Sequence, residues 1–232
     1  MFVFNQMAKT LIHGIETMTV GEARDLMREK HIRHLPITDA AGKLVGIVSD
    51  RDMRSALPPE LLDPNSPHGQ DTSHQNKSAM VLDKPVTSLM TKDPVCVYPF
   101  NTFQDVLLLM QRHRVGALPV VDENGFLRGI VSGGDMLEAF IEVMGINQPG
   151  TLLCVLAPNQ QGEIKKLVDV ISAEGISTGS ILVTRGMSKD KKVFFPYLLT
   201  NNVMQVKKKL MEQGFQMLEP VQWYLDQVSE KV

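Results

Sequence analysis

The sequence is short of several things that would each announce a function. It has two cysteines, Cys96 and Cys154, too few for a disulfide framework and in no metal-ligand spacing. Both lie in apolar, strand-like runs, which reads as buried, reduced thiols. It has no excess of charge: 24 Lys and Arg against 26 Asp and Glu leave −2. That balance makes no electrostatic case for nucleic acid or an anionic membrane as the main partner. Long apolar runs are missing too. Val106–Met110 is a run of five, against about 20 residues needed to span a bilayer. With no secretory signal at the start, a cytoplasmic protein is expected. H-E-x-x-H, Walker A, G-x-G-x-x-G and an ordered Ser/His/Asp set are absent, and no G-K-[ST] follows Gly133-Gly134. No enzyme is therefore expected. What is present is ample apolar content, 43% hydrophobic against 22% charged residues in 232, enough for one large domain or two or three small ones.

The informative feature is a repeat. A shift of 83 positions lays Met7 on Met90, Thr19 on Thr102, Leu35-Pro36 on Leu118-Pro119 and Gly42 on Gly125. It also lays Gly46-Ile47-Val48-Ser49 on Gly129-Ile130-Val131-Ser132, and Asp52-Met53 on Asp135-Met136, without a gap from Met7 to Ala56. Such a register means a duplicated unit. Each copy reads as strand, helix, strand, strand, helix. Leu11–His13 and Val95–Val97 are short β-rich runs. Thr19 and Thr102 cap helices whose apolar stripes are Val20, Ala23, Leu26, Met27 and Phe103, Val106, Leu109, Met110. Strands are expected at His34–Thr38, Leu44–Val48, Ala117–Asp122 and Leu127–Val131, with Gly42 and Gly125 supplying positive φ in the turns. One such unit cannot bury both faces of its sheet; two about a pseudo-twofold axis can.

Each copy ends on a strand-to-helix junction, Gly-Ile-Val-Ser-x-x-Asp. A helix N-terminus carries unpaired N–H groups and partial positive charge, and accepts phosphate. Ser49 and Ser132 can cap it or donate to a ligand. Asp52 and Asp135 lie in the first turn, where a carboxylate can accept two hydrogen bonds from a ribose diol. Gly46 and Gly129 are expected to leave room on the preceding strand. A serine cap and a first-turn carboxylate also occur without any ligand, so both readings stand at this point.

The pattern x-x-Leu-Pro-x-x-Asp, Gly, Gly-Ile-Val-Ser-x-x-Asp, given twice, resembles tandem cystathionine-β-synthase (CBS) domains, the Bateman module. The resemblance implies adenosine-containing ligands in clefts between the repeats. Asp52 and Asp135 would then hold ribose hydroxyls, with Ser49 and Ser132 at the ribose or phosphate. Thr10, Leu11 and Ile12, with Asp93, Pro94 and Val95, would cradle adenine together with the backbone before Pro36 and Pro119, that is Leu35 and Leu118. The copies differ where a phosphate would lie. The first has Arg33-His34 and Asp50-Arg51; the second has Gly116-Ala117 and Gly133-Gly134. Arg33 and Arg51 could clamp a phosphate. One site should therefore be the stronger, and charged nucleotides should be preferred to plain adenosine. AMP, ADP, ATP and S-adenosylmethionine all fit a ribose-binding aspartate.

Between the copies, 57–86 carries five prolines and few apolar residues after Asp63, the composition of a mobile linker. His68 and His74 stand in it without a carboxylate cluster, so no metal site is expected. After Gly150 the register changes to βαββαβ, a ferredoxin-like order. Strands are expected at 151–156, 177–184, 193–200 and 215–219. Helices are expected at 163–174, with Ile164, Leu167, Val168 and Ile171 on one face, and at 202–213, with Val203, Val206, Leu210 and Met211 inward. Asn159-Gln160-Gln161-Gly162 resembles the D-x-x-G turn of ACT domains, small regulatory units that often bind amino acids, with Asn in place of Asp. Residues 222–231, which hold Trp223, read as a tail helix.

The fold class is thus α/β (α+β), a tandem CBS pair with pseudo-twofold symmetry plus a ferredoxin-like βαββαβ ACT-type domain. Boundaries fall at 1–62 and 85–146 for the repeats, 63–84 for the linker, 150–221 for the C-terminal domain and 222–232 for the tail. "HIRHLP", "SDRDM" and "GINQPG" extend the resemblance to the bacterial acetoin-utilisation family. That implies a homodimeric regulatory protein of small-molecule carbon metabolism with an unidentified protein target. The alternative is an interaction module with no bound nucleotide.

Overall fold

The computed structural model describes residues 2–8, 11–57, 80–184 and 190–218. Most of the linker, Thr10, His68, His74, Ser188 and the tail with Trp223 lie outside the described residues. The chain divides into two compact units, Met1–Met136 and Leu137–Val232.

In the first unit the elements are α1 (Val3–Gln6), β1 (Gly14–Ile15), α2 (Val20–Glu29), β2 (His34–Thr38), β3 (Leu44–Ser49) and α3 (Asp50–Ala56). A 3₁₀ turn (Val86–Ser88) and β4 (Thr91–Lys92) follow, then α4 (Phe103–His113), β5 (Ala117–Val121), β6 (Leu127–Ser132) and α5 (Gly133–Met144), which runs on into the second unit. The caps foreseen at Thr19 and Thr102 are formed, and both are full capping boxes, with Glu22 and Asp105 as reciprocal partners. The stripes they launch bury Val20, Ala23 and Met27 on one helix and Val106 and Met110 on the other. The leading strands differ from expectation. Ordered pairing begins at Gly14 rather than Leu11, and in the second copy only Val97 pairs, in parallel with Val120.

The pseudo-twofold axis is visible in matched contacts. Leu44 N donates to Gly125 O at 3.1 Å, and Leu127 N to Gly42 O at 3.2 Å. Gly42 and Gly125 sit at φ 88° and 82°, as their turns require. Less expected is an exchange of leading segments. β4, from the second copy, pairs with β3 of the first, while Ala8 N bonds Ile130 O in β6 of the second. Val3 completes the core of the second copy, beside Val97, Val106, Leu118 and Val131. Each half therefore lacks part of its own sheet and takes it from the other.

The second unit contains β7 (Thr151–Leu152), β8 (Val155–Pro158), α6 (Glu163–Ala173), β9 (Thr178–Thr184), β10 (Lys191–Leu198), α7 (Met204–Glu212) and β11 (Gln216–Met217). The sheet order β11-β8-β10, with β9 on the far edge of β10, realises the expected βαββαβ order in antiparallel pairs. The foreseen first strand is broken at Leu153-Cys154 into β7 and β8. Leu167, Ile171, Val206 and Leu210 pack against Val155, Ala157, Phe194 and Leu198. The expected apolar faces need correction. Ile164 (48%), Val168 (40%) and Met211 (53%) are exposed. A helix lying flat on a sheet buries a narrow stripe, here the positions four apart, and leaves flanking apolar positions outside.

Candidate functional site

Both Ser-x-x-Asp junctions have the same local build. β3 runs extended into Ser49 (φ −110°, ψ 161°), which caps α3. Asp52 Oδ2 accepts from Ser49 N at 2.8 Å and from Ser49 Oγ at 2.6 Å, and Asp52 N returns a bond to Ser49 Oγ at 3.3 Å. At the other junction Asp135 Oδ2 accepts from Ser132 N and Oγ, both at 2.6 Å, and Asp135 N reaches Ser132 Oγ at 3.4 Å. In each, one carboxylate oxygen is used by the cap. The loops entering β2 and β5 are tied to the same helix starts: Asp50 N donates to Arg33 O, and Gly133 N to Gly116 O, both at 2.9 Å.

Arg33, His34, Ser49, Asp50 and Asp52 thus come together in the first copy, since His34 is the ladder partner of Ser49. Arg33 and Arg51 are exposed and form no ion pair with any described residue, whereas Asp50 pairs with Arg54 at 2.9 Å. Burial holds the His34 imidazole below its ordinary pKa, with Asp52 and Asp50 opposing and Arg33 assisting. In the second copy Ala117 is the ladder partner of Ser132. A methyl on Gly133 or Gly134 would meet nothing closer than 3.8 Å or 3.5 Å, so packing does not demand glycine there. Neither has positive φ.

The remaining expected residues are placed as follows. Leu35 and Leu118 are core, at 0% and 1% exposure, and Pro36 and Pro119 are buried beside them. Leu11 and Ile12 lead into β1 half-buried. Asp93 is exposed at φ 46°, and Pro94 and Val95 follow half-buried, with Cys96 Sγ donating to Pro94 O at 3.0 Å. Burial pushes the Cys96 thiol up to about 11. Gly46 and Gly129 do not leave open room. A Cβ on Gly46 would lie 2.4 Å from Met90 Sδ, and one on Gly129 2.9 Å from Met7 Sδ. The two methionines of the exchanged segments fill that space crosswise. The 83-residue shift relates the two pairs to each other but does not say which methionine meets which glycine. The turn at Asn159–Gly162 is exposed, with Asn159 N bonded to Asp190 O, Gln160 N to Pro158 O, and Gly162 at φ 90° before α6. A surface hollow of about 350 Å³ lies between α6 and α7, bordered by Lys166, Asp169, Lys209 and Glu212; no residue of that turn lines it.

Among the described residues no group of three or more His, Cys, Asp or Glu could hold a metal, and no helix is long and apolar enough to cross a membrane. The chemistry on offer is recognition: an anchored carboxylate at each junction and, in the first copy, the Arg33 and Arg51 guanidinium groups, which form no ion pair with any described residue.

A paired α/β module with two such junctions defines a class of repeat domain, and comparison with known proteins identifies it. The CBS domain family model matches residues 8–59 and 86–142. A CBS domain-containing protein of Dictyostelium discoideum is 32% identical over 138 residues, 60% of this chain and 90% of that protein. The chain belongs to the CBS domain family. An inosine-5'-monophosphate dehydrogenase of Korarchaeum cryptofilum is 38% identical over 118 residues, 51% of this chain but only 20% of that enzyme. The shared part is a small portion of the enzyme. The crystal structure of a Vibrio cholerae protein assigned to acetoin utilization, AcuB, is 29% identical, covers 63% of this chain and 95% of that one, and superposes with a TM-score of 0.50.

Proposed function

We propose that the protein is a non-enzymatic sensor that binds adenosine-containing nucleotides, AMP, ADP or ATP, in the clefts of its CBS pair. S-adenosylmethionine fits the same ribose contacts. The observation that carries this reading is the pair of Ser-x-x-Asp junctions. In each, the cap fixes the aspartate through Oδ2, which leaves Oδ1 to accept from a ribose diol. The first cleft adds Arg33 and Arg51 for phosphate, and the second replaces side chains with glycine at Gly133 and Gly134. Occupancy would act by favouring one arrangement of the two repeats. The likeness to the Vibrio protein supports a role in acetoin or related carbon metabolism. The C-terminal βαββαβ unit is read as ACT-like, with Asn159, Gln160 and Gly162 as its ligand turn, and the whole as a cytoplasmic homodimer acting on a protein target.

The test is a thermal-shift and calorimetry panel of AMP, ADP, ATP and S-adenosylmethionine. A ligand at 100 times its Kd adds about 2.7 kcal/mol, worth about 2–4 °C per kcal/mol. Asp52→Ala should remove most of the shift given by phosphorylated ligands, and Asp135→Ala less. A flat panel refutes the sensor reading. It would favour an interaction module without nucleotide, a second reading supported by the capping boxes, which satisfy both serines and one oxygen of each aspartate with no ligand.

A further inference from the structure

His34 belongs to the first copy by sequence, yet its ring reaches the second. A methyl built on Gly116 would lie 3.2 Å from His34 Nε2 and 3.3 Å from Cε1. The imidazole therefore lies beside the exposed Gly116, whose carbonyl accepts from Gly133 N at the start of α5. At its other end His34 is anchored opposite Ser49, and its ring lies in the field of Asp52. One side chain thus stands opposite Ser49 in the first junction and beside Gly116, which is bonded to the first residue of the helix at the second. The symmetry mate of His34 is Ala117, which has no reach, so there is a single bridge and not a pair.

We propose that His34 is a positioning residue that couples the two clefts, so that a nucleotide in one changes the affinity of the other. This rests on the nucleotide reading above. The imidazole can occupy one place at a time. A ligand seated on Asp52 sets the ring, and the ring sets the Gly116 carbonyl and with it the first turn of α5. A methyl on Gly116 would fall 3.2 Å from the ring, so a shift of the ring bears directly on Gly116.

The experiment follows the His34 imidazole by NMR, assigned among the six histidines by its loss in His34→Gln. Without ligand, Gly116→Ala should move the His34 signal, and an unmoved signal overturns the contact. AMP is then added to Asp52→Ala, where only the Asp135 cleft is intact, and to Asp135→Ala, where only the Asp52 cleft is. The His34 signal should move in both. Calorimetry of the wild type should show two coupled sites, with affinities altered about fivefold or more by each other's occupancy, and His34→Ala should make them independent. If AMP binds the wild type but the His34 signal follows only one cleft, the coupling falls alone. If the wild type binds no AMP, the sensor reading falls and the coupling with it.

Discussion

Replacing Val3 with alanine tests the exchange of leading segments directly. Val3 lies in a four-residue helix near the start of the chain, a place where truncation to alanine is ordinarily harmless. Here the side chain is 1% exposed and packs into the core of the second copy, while its N–H donates to Asn101 O at 3.0 Å. Losing two methyl groups forfeits about 1.6 kcal/mol of transfer free energy, at ~0.8 per carbon. A void of roughly 50 Å³, at ~24 cal/mol per Å³, adds about 1 kcal/mol if the site does not collapse. The expected loss is about 2.5 kcal/mol, or about 5–10 °C in the melting of the repeat pair. Because the chain has two compact units, a single melting curve does not say which part has loosened. Hydrogen exchange does: protection should fall first in α4, β5 and β6, some hundred residues away along the chain. Phe4→Ala is the internal control, since Phe4 is 54% exposed on the same helix and should change stability by about 0.5 kcal/mol or less. Equal effects from the two substitutions, or lost protection confined to β2 and β3, would refute the exchange.

Three further outcomes are expected. Gly46→Ala drives a methyl into Met90 Sδ and within 3.0 Å of the Thr91 carbonyl, and should cost about 1–3 kcal/mol; Met90→Ala in the same chain should recover part of it in a urea titration, and no recovery would mean the methionine is not the obstacle. Burial depresses the His34 pKa in the folded state, so its contribution to stability is complete above the unfolded value of about 6.5 and is lost as pH falls below it; the melting temperature of the wild type should drop faster than that of His34→Gln below that pH, and parallel curves would contradict the burial. In the C-terminal unit, Leu167→Ala should cost about 2–5 kcal/mol and Ile164→Ala far less, because the first is fully buried and the second 48% exposed; chemical denaturation of the two variants distinguishes them.

The duplication made much of this legible. A gapless shift fixes the elements of both copies together, because a strand or turn must be plausible in two sequences at once. The hairpins at His34–Thr38 and Leu44–Ser49, the capping boxes and the glycine turns followed from local chemistry. What local chemistry could not supply was partnership. Met7 and Met90 carry no mark saying that each packs on the opposite glycine, and the crowding at Gly46 arises only when β4 arrives from the other half. The leading strands were misplaced for the same reason: short pieces such as Gly14–Ile15 are defined by a neighbour and not by their own alternation. Helix faces failed more mildly. Val168 and Met211 suit an apolar stripe, but the width of the stripe is set by the sheet beneath it. At the candidate site the residue types were legible, whereas the reach of His34 to Gly116 depends on how two repeats meet.

The crossed leading segments have a consequence for how the chain can be made. As it emerges during synthesis, the first copy can form its β2–β3 hairpin early, but the strand that lies against β3 comes only with Thr91 and Lys92. The N-terminal segment waits longer still, for Ile130. Neither half is a finished product when its own residues are complete. The repeat pair must close as one object, late, with Val3 and Ala8 among the last residues to find their place.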